Sequence, residues 1–340
     1  MKIIKKEVNK LNQDELSAIH KIEYNSNSTI FQELDFNIIV SRIFKSKLIL
    51  LLAFQNKILI GFCCFHEKRI GILLNIYQSG LSQYSNPYGG WVYGLNSTNL
   101  TELLHKTFFI NPLYSFHYLS APFVEDKVFH EYQSSIFYTN TIDLSLSENE
   151  IFHTIISKNT RHNINRALKK GVSIESLNVT HINIIYNLIK ELNTSQSKIT
   201  FPIEYYSGII EFYQSKNQCL ILASKYKDKY LSCVLFLRNK YFTHAWIAGR
   251  IHELPKNIYQ NEAIHWEAIK WAKHMNCQYF DFCYLYSQRQ FEQQDIKQIN
   301  IAQFKLGFSK QIISYYSLDR VGIIFKIISR LKKWFELFHL

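Results

Sequence analysis

The chain has 340 residues, 47% hydrophobic and 15% aromatic, with only 11 Gly and 5 Pro; this length suggests two folded domains, and the composition excludes a disordered or low-complexity chain. Lys and Arg number 39 against 27 Asp and Glu, a formal charge of +12, which favours phosphate-bearing partners (nucleotide, coenzyme A, tRNA or lipid headgroup) without choosing among them. The six cysteines, Cys63, Cys64, Cys219, Cys233, Cys277 and Cys283, lie mostly in apolar runs and lack C-x-x-C spacing. That excludes a zinc ribbon and predicts buried, reduced thiols.

The first residues, Met1 to Glu7, lack the apolar core of a signal peptide, and no apolar run approaches the ~18–20 residues of a membrane span, so a cytoplasmic protein is expected. Ile38 to Phe44 reads as a helix. Leu48 to Phe65 then reads as two apolar strands around the polar turn Gln55-Asn56-Lys57. Asn86-Pro87-Tyr88-Gly89-Gly90-Trp91 is the strongest loop signal of the first half, because Gly admits backbone conformations closed to other residues. Thr141-Ile142-Asp143-Leu144 ends an apolar segment, and Ser147-Glu148-Asn149-Glu150 opens a helix with a capping-box pattern, placing a domain boundary near Asn140 to Glu150.

Ser157 to Gly171 predicts a helix on which Arg161, Asn165, Leu168 and Lys169 recur at three- and four-residue steps, with Arg166 and Lys170 beside them. It is either an anion binder or a solvated basic face. The second half repeats the earlier pattern: a helix from Ile203 to Tyr213, then a hairpin from Cys219 to Leu237 around Lys227-Asp228-Lys229. A strand from Tyr241 to Ile247 follows, then a helix from Ile258 to Met275 with Ile264, Ala268, Trp271, Ala272 and Met275 on one face, and a strand from Tyr279 to Phe282. The order is that of an α/β protein built by duplication.

Few residues in this frame suggest chemistry. Asp281 is flanked by apolar residues; burial there would raise its pKa and suit it to act as a base, unless it serves backbone amides. His244, alternating with Phe242 and Trp246, and His265, beside Trp266, either face a cleft or complete the core. Trp266 and Trp271 read as core. Lys305, within Phe304-Lys305-Leu306-Gly307-Phe308, either offers an ammonium that could stabilise an oxyanion or is a surface Lys beside a packed Phe pair. No G-x-G-x-x-G, P-loop or G-x-S-x-G occurs, and no metal is expected. Val321 to Leu340 is basic and amphipathic, fitting a membrane surface or the protein's own core.

The stretch from Ile258 to Phe308, with its helix, its strand at Tyr279 to Phe282 and its Phe304-Lys305-Leu306-Gly307-Phe308 run, resembles the C-terminal half of the Fem-type acyltransferases. These form a branch of the GNAT superfamily that includes peptidoglycan-bridge aminoacyltransferases and BioF2-like acetyltransferases. Arg161, Ile164, Arg166-Ala167 and Lys170-Gly171 resemble the family's Arg followed by Ile-Arg-x-Ala-x-Lys-x-Gly, with Asn165-Arg166 shifting the details. Ser309 replaces the last Gly of the family's Phe-Lys-x-Gly-Phe-Gly run, and Tyr88-Gly89-Gly90 resembles a turn of its N-terminal lobe.

The resemblance implies tandem GNAT-like lobes, each a mixed sheet flanked by helices, over residues 1–145 and 146–318, with an amphipathic helix over 319–340. It implies an N-acyltransferase acting on an amine of a cell-envelope or surface-polysaccharide precursor, either a sugar nucleotide or a lipid-linked molecule, with an anionic membrane as a further partner and no DNA. Lys305 and Asp281 would be catalytic, Gly307 would let the backbone approach the donor, and Arg161, Arg166, Lys170, Phe304, His244 and His265 would bind substrate. The coenzyme A loop Gln/Arg-x-x-Gly-x-Gly/Ala is missing between Ala248 and Asn257, which speaks against acyl-CoA. The long helical hairpin used for tRNA is missing between His181 and Ser215, which speaks against aminoacyl-tRNA. The balance leans to acyl-CoA, with aminoacyl-tRNA as the alternative and a non-catalytic binding module as a third reading.

Overall fold

The computed structural model describes residues 1–70, 74–80, 86–94, 114–123, 133–255, 257–293 and 295–324. The described residues fall into two compact units, one drawn from Met1–Ile136 and Tyr315–Leu340, the other from Phe137–Ser314. The proposed tail helix lies outside the described residues from 325 onward, while Asp319 and Arg320 belong to a strand.

The first unit opens with β1 (Lys2–Glu7), helix α1 (Gln13–Asn25) and helix α2 (Leu34–Ile43). Asn12 and Glu15 form a reciprocal capping box at the start of α1. Helix α2 begins four residues before the expected Ile38, because Glu23 reaches across to accept from the Leu34 amide at 2.7 Å and satisfies one of its first orphan donors. The hairpin follows as β2 (Lys47–Gln55) and β3 (Ile58–Ile70), turning through Asn56 and Lys57 at φ of +51° and +66°. Two consecutive left-handed residues give the turn whose twist matches its strands. β4 (Leu74–Ser79), β5 (Trp91–Tyr93), β6 (Tyr114–Leu119) and, from the far end of the chain, β13 (Gln311–Arg320) complete a sheet of order β1-β2-β3-β4-β6-β13, with β5 on β3.

The second unit contains β7 (Gln133–Asp143), helix α3 (Lys158–Lys169), β8 (Ser173–Leu177), helix α4 (Ile182–Ser195), helix α5 (Ile203–Ser215), β9 (Cys219–Tyr226) and β10 (Lys229–Arg238). It continues through β11 (Phe242–Arg250), helix α6 (Gln260–His274), β12 (Tyr279–Ser287), helix α7 (Gln288–Glu292) and helix α8 (Ile296–Leu306). Its hairpin turns through Lys227 and Asp228 at +49° and +61°, the same turn as in the first unit. The Ser147–Glu150 capping box forms as expected, but its helix gives way after Glu150 to a π-turn over Ile151–Ile155.

The duplication is visible in the pairings. In the first unit, three antiparallel pairs, β1·β2, β2·β3 and β3·β4, are followed by the parallel pair β4·β6 and the antiparallel pair β6·β13. In the second, β8·β9, β9·β10 and β10·β11 are antiparallel, β11·β12 is parallel and β12·β7 is antiparallel. Each unit therefore has the same sheet. Each also takes its last strand from outside the run of chain that supplies its others: β13 in the first, β7 in the second. The cores follow from strand alternation, with Ile49, Leu51, Cys63 and Phe65 on one face of the first sheet and Leu48, Leu50, Leu52 and Phe62 on the other, all buried. All six cysteines are buried and free.

The Tyr-Gly-Gly turn is a structural device. The Gly89 amide donates to Leu119 O at 3.0 Å, Gly90 takes φ of +88° while its amide donates to Ser79 Oγ at 2.9 Å, and Trp91 N donates to Tyr118 Oη at 3.3 Å. A Cβ on Gly89 would fall 2.2 Å from Gly80 N and 2.4 Å from Ser79 C, both backbone. Gly89→Ala should therefore lower stability by about 3 kcal/mol, the upper range for overpacking, read as a fall in the urea midpoint at constant m-value; an unchanged midpoint would show that the turn tolerates a side chain.

Candidate functional site

In the second unit β11 and β12 pair in parallel over three residues only, Phe242 with Tyr279, Thr243 with Phe280 and His244 with Asp281. Beyond that pair the described strands part. β12 also bulges there, its register against β7 shifting between Asp281 and Tyr284, with Cys283 at φ of +57°. Strand parting and bulge together break the regular ladder near Phe282 and Tyr284, and their carbonyls are met by Lys305, whose Nζ donates to both at 2.7 Å.

Lys305 is held from both ends. Its backbone carbonyl accepts from Asn140 Nδ2 at 2.9 Å, and the same amide donates to Ser309 O at 3.2 Å. Helix α8, which carries it, is N-capped by Asp295 accepting from Gln298 N. Burial lowers the Lys305 pKa below the usual lysine value, and nearby Lys198 adds to the fall, while Cys283 and Asp281 oppose it. An ammonium has three donors; two are taken by the carbonyls, and no described residue takes the third.

Asp281 is completely buried. Its Oδ1 accepts from Thr139 Oγ1 at 2.5 Å and Cys283 N at 3.0 Å, and its Oδ2 bonds His244 Nδ1 at 2.8 Å. A base for an incoming ammonium needs an accessible oxygen, which the direct role expected of Asp281 lacks in this buried setting. Ligand atoms of His244, Asp281 and Cys283 lie within 4.8 Å of one another, but both Asp281 oxygens are already hydrogen-bonded, which makes this a buried polar network first. Thr139 and Cys283 belong to that network and were not foreseen, because their meeting depends on the β7·β12 register.

The other expected residues divide into core and surface. His265, also buried, packs against Phe282, Phe304 and Phe308 at ring distances of 5.7, 5.3 and 5.6 Å, with Nδ1 bonded to Asn261 O at 2.8 Å. Phe304 is part of the same packing, and neither histidine faces a cleft. Trp266 and Trp271 are partly buried against this core, as expected. Gly307 is required by an internal approach: a Cβ would lie 2.4 Å from Thr160 Oγ1, and Gly307 O accepts from Ser157 N at 2.9 Å. The close passage that was expected toward a donor is made to the start of α3.

The basic helix splits likewise. Arg161 Nη1 donates to Phe152 O, His153 O and Ile156 O at 3.2, 2.5 and 2.7 Å, gathering the carbonyls of the π-turn, so this guanidinium is committed to the fold. Gly171, at φ of +84°, closes α3: its amide donates to Leu168 O and that of Val172 to Ala167 O, a Schellman arrangement. Arg166 and Lys170 reach the segment leading into α6, Arg166 lying 5.4 Å over the Tyr259 ring and Lys170 Nζ 3.1 Å from Asn257 O. Glu262, in the first turn of α6, accepts from Asn163 Nδ2 at 3.1 Å, and burial raises its pKa. Sequence gave no sign of that carboxylate, since its shielding comes from neighbours far along the chain.

Two buried histidines set an acid limit on stability. Burial pushes His265 down to about 4, and His66, bonded to Ser46 Oγ and Asn37 Oδ1, down to about 4. Unfolded histidines titrate near 6.5, so stability is intact above that pH and is lost as pH falls toward 4, by about 3 kcal/mol per histidine. Urea unfolding between pH 7 and pH 4 should show this slope, and His265→Phe should remove its share; a slope unchanged in the variant would mean that His265 titrates normally.

Residues 127–234 match the FemAB family. No curated protein matches the sequence. Among solved structures, the crystal structure of FemX aligns at a TM-score of 0.69 and 11% identity, over 97% of this chain and 99% of that one. L-PGS from Bacillus licheniformis aligns at 0.56 and 11%, over 94% and 96%. A tandem GNAT protein from the clavulanic acid biosynthesis pathway aligns at 0.50 and 8%, over 94% and 98%. These likenesses establish the fold, two GNAT-like lobes in one chain, and the FemAB match covers the stretch from 127 to 234 within it.

Proposed function

We propose that this protein is an N-acyltransferase in which Lys305 stabilises the oxyanion formed when an amine attacks an activated carbonyl. The observation that supports it most directly is the Lys305 ammonium, oriented by two carbonyls and left with one donor. A donor fixed before the reaction costs no reorganisation when charge develops, and in a desolvated site it acts more strongly than in water. The amine forms the new C–N bond, the carbonyl π pair moves to oxygen beside Lys305, and collapse breaks the carbonyl's bond to the thiolate of coenzyme A or the ribose oxygen of a tRNA, which leaves with the proton the amine gives up. Asp281 acts through its surroundings, anchoring His244 and the β12 bulge and favouring the charged form of Lys305.

The proposed donor is an acyl-CoA. The whole stretch between β8 and β9 is described, and its α-helices are α4 and α5, of 14 and 13 residues, each about 20 Å long, short for a tRNA-handling hairpin. Arg166, Lys170 and the first amides of α6 would meet its phosphates. The FemAB match favours a second reading, an aminoacyl-tRNA donor and a peptidoglycan precursor as acceptor. In either case the acceptor is an amine on a cell-envelope or surface-polysaccharide precursor, carried on a nucleotide or a lipid, and the likeness to L-PGS is compatible with the lipid.

Coenzyme A release in the presence of amino-sugar acceptors, with and without RNase, separates the two donors. Lys305→Met should lower turnover by about 10²–10³-fold while its circular dichroism spectrum remains that of the wild type, and Lys305→Arg should recover only part of the loss, since a planar fork does not reproduce the ammonium's geometry. Wild-type turnover in Lys305→Met would remove the assignment. Arg166→Ala with Lys170→Ala should raise the donor KM several-fold at low ionic strength and less at high salt, where screening has already removed part of the attraction; a KM indifferent to both changes would return these side chains to the solvent.

A further inference from the structure

Beside Lys305, helices α7 and α8 and the end of β12 enclose a cavity of about 210 Å³ lined by Tyr286, Phe291, Ile299, Ala302 and Leu306 together with three glutamines. Two of those amides are already engaged: Gln290 Oε1 accepts from Tyr284 Oη and Ser287 N, and Gln298 Nε2 donates to Leu285 O. What remains facing the space is predominantly apolar. One wall is Phe291, stacked on Tyr286 at a ring distance of 5.4 Å yet 62% exposed. A large aromatic left half in water at the rim of an apolar slot incurs a cost that a ligand would relieve.

The slot's position gives it a use. Tyr286 stands two residues beyond Tyr284, whose carbonyl holds the Lys305 ammonium, roughly 7 Å along a strand. Leu306 is the next residue of the helix after Lys305. A carbonyl polarised at Lys305 would thus have its substituent within reach of the slot.

We propose that this slot binds the apolar substituent on the donor's carbonyl, an aliphatic or aromatic group of about six to eight heavy atoms at roughly 30 Å³ each, so that the enzyme transfers an apolar acyl or aminoacyl group in preference to acetyl, glycyl or seryl. This rests on the acyl-transfer reading above. The group has two sources, the acyl chain of a coenzyme A thioester or the side chain of an aminoacyl-tRNA, and the slot recognises what they share.

Calorimetric titration of the full chain with acetyl-, butyryl-, hexanoyl- and palmitoyl-CoA, and filter binding of seryl-tRNA against leucyl-tRNA, tests it. Affinity should tighten by about four-fold per methylene up to hexanoyl and stop gaining at palmitoyl, or leucyl-tRNA should bind about ten-fold or more tighter than seryl-tRNA; whichever series responds names the source. Ala302→Phe, which fills the slot, should flatten the responding series. Phe291→Ser, at the exposed rim and safer for folding, should reduce its slope by at least half. Donor binding with no dependence on chain or side chain, or a dependence that neither variant alters, overturns the slot and leaves the acyltransferase reading in place. Binding of no donor of either kind overturns both.

Discussion

An ammonium withdrawn from water is costly unless its hydrogen bonds are replaced, and the candidate site of this protein is arranged around one. Lys305 meets the carbonyls of Phe282 and Tyr284 where β11 and β12 have parted and β12 bulges. The bulge in turn depends on Asp281, which binds the Cys283 amide and fixes His244 and Thr139 around itself. Removing any partner from such a network leaves another buried polar group unsatisfied. The site's geometry is therefore secured by the same contacts that allow an interrupted strand to exist in the middle of a sheet.

That economy extends to the motif residues. Of the Arg161 to Gly171 signature, Arg161 gathers the carbonyls of a π-turn and Gly171 supplies the left-handed residue that ends a helix. Gly307 admits Thr160 to the end of α8, and Phe304 packs on a neutral His265. These residues fix where α3 and α8 stand with respect to β12. Only Arg166 and Lys170 extend from that frame toward the opening of α6, while Lys305, bonded to two carbonyls, keeps one ammonium donor that no described residue takes.

The repeated sheet explains why two lobes of this kind need so little sequence in common. Three antiparallel pairs, one parallel pair and a closing antiparallel strand recur in both units, and each pairing asks only for alternation and suitable turns. In the first unit, close backbone packing at Gly89 and Gly90 lies against the ends of the parallel strands β4 and β6. In the second, the break between the parallel strands carries a cation instead.

Local pattern was enough to read much of this. The hairpins, with polar turns between apolar strands, the α6 face of Ile264, Ala268 and Ala272, the Ser147 capping box and the burial of the cysteines all depend on neighbours within a few residues, which sequence displays. The resemblance carried by short motifs likewise pointed to the family whose model matches residues 127–234. What only the tertiary structure decided is the use of each polar side chain: Asp281 was legible as a buried carboxylate, but its being fully bonded depends on Thr139 and His244, 142 and 37 residues away. Arg161, Gly307 and His265 were legible as residue types suited to phosphate, close approach and either a cleft or the core, and packing assigned them to the fold. Hydrogen-bond capacity is a property of the residue, whereas which partner claims it is settled by strand register and helix packing between segments far apart in the chain.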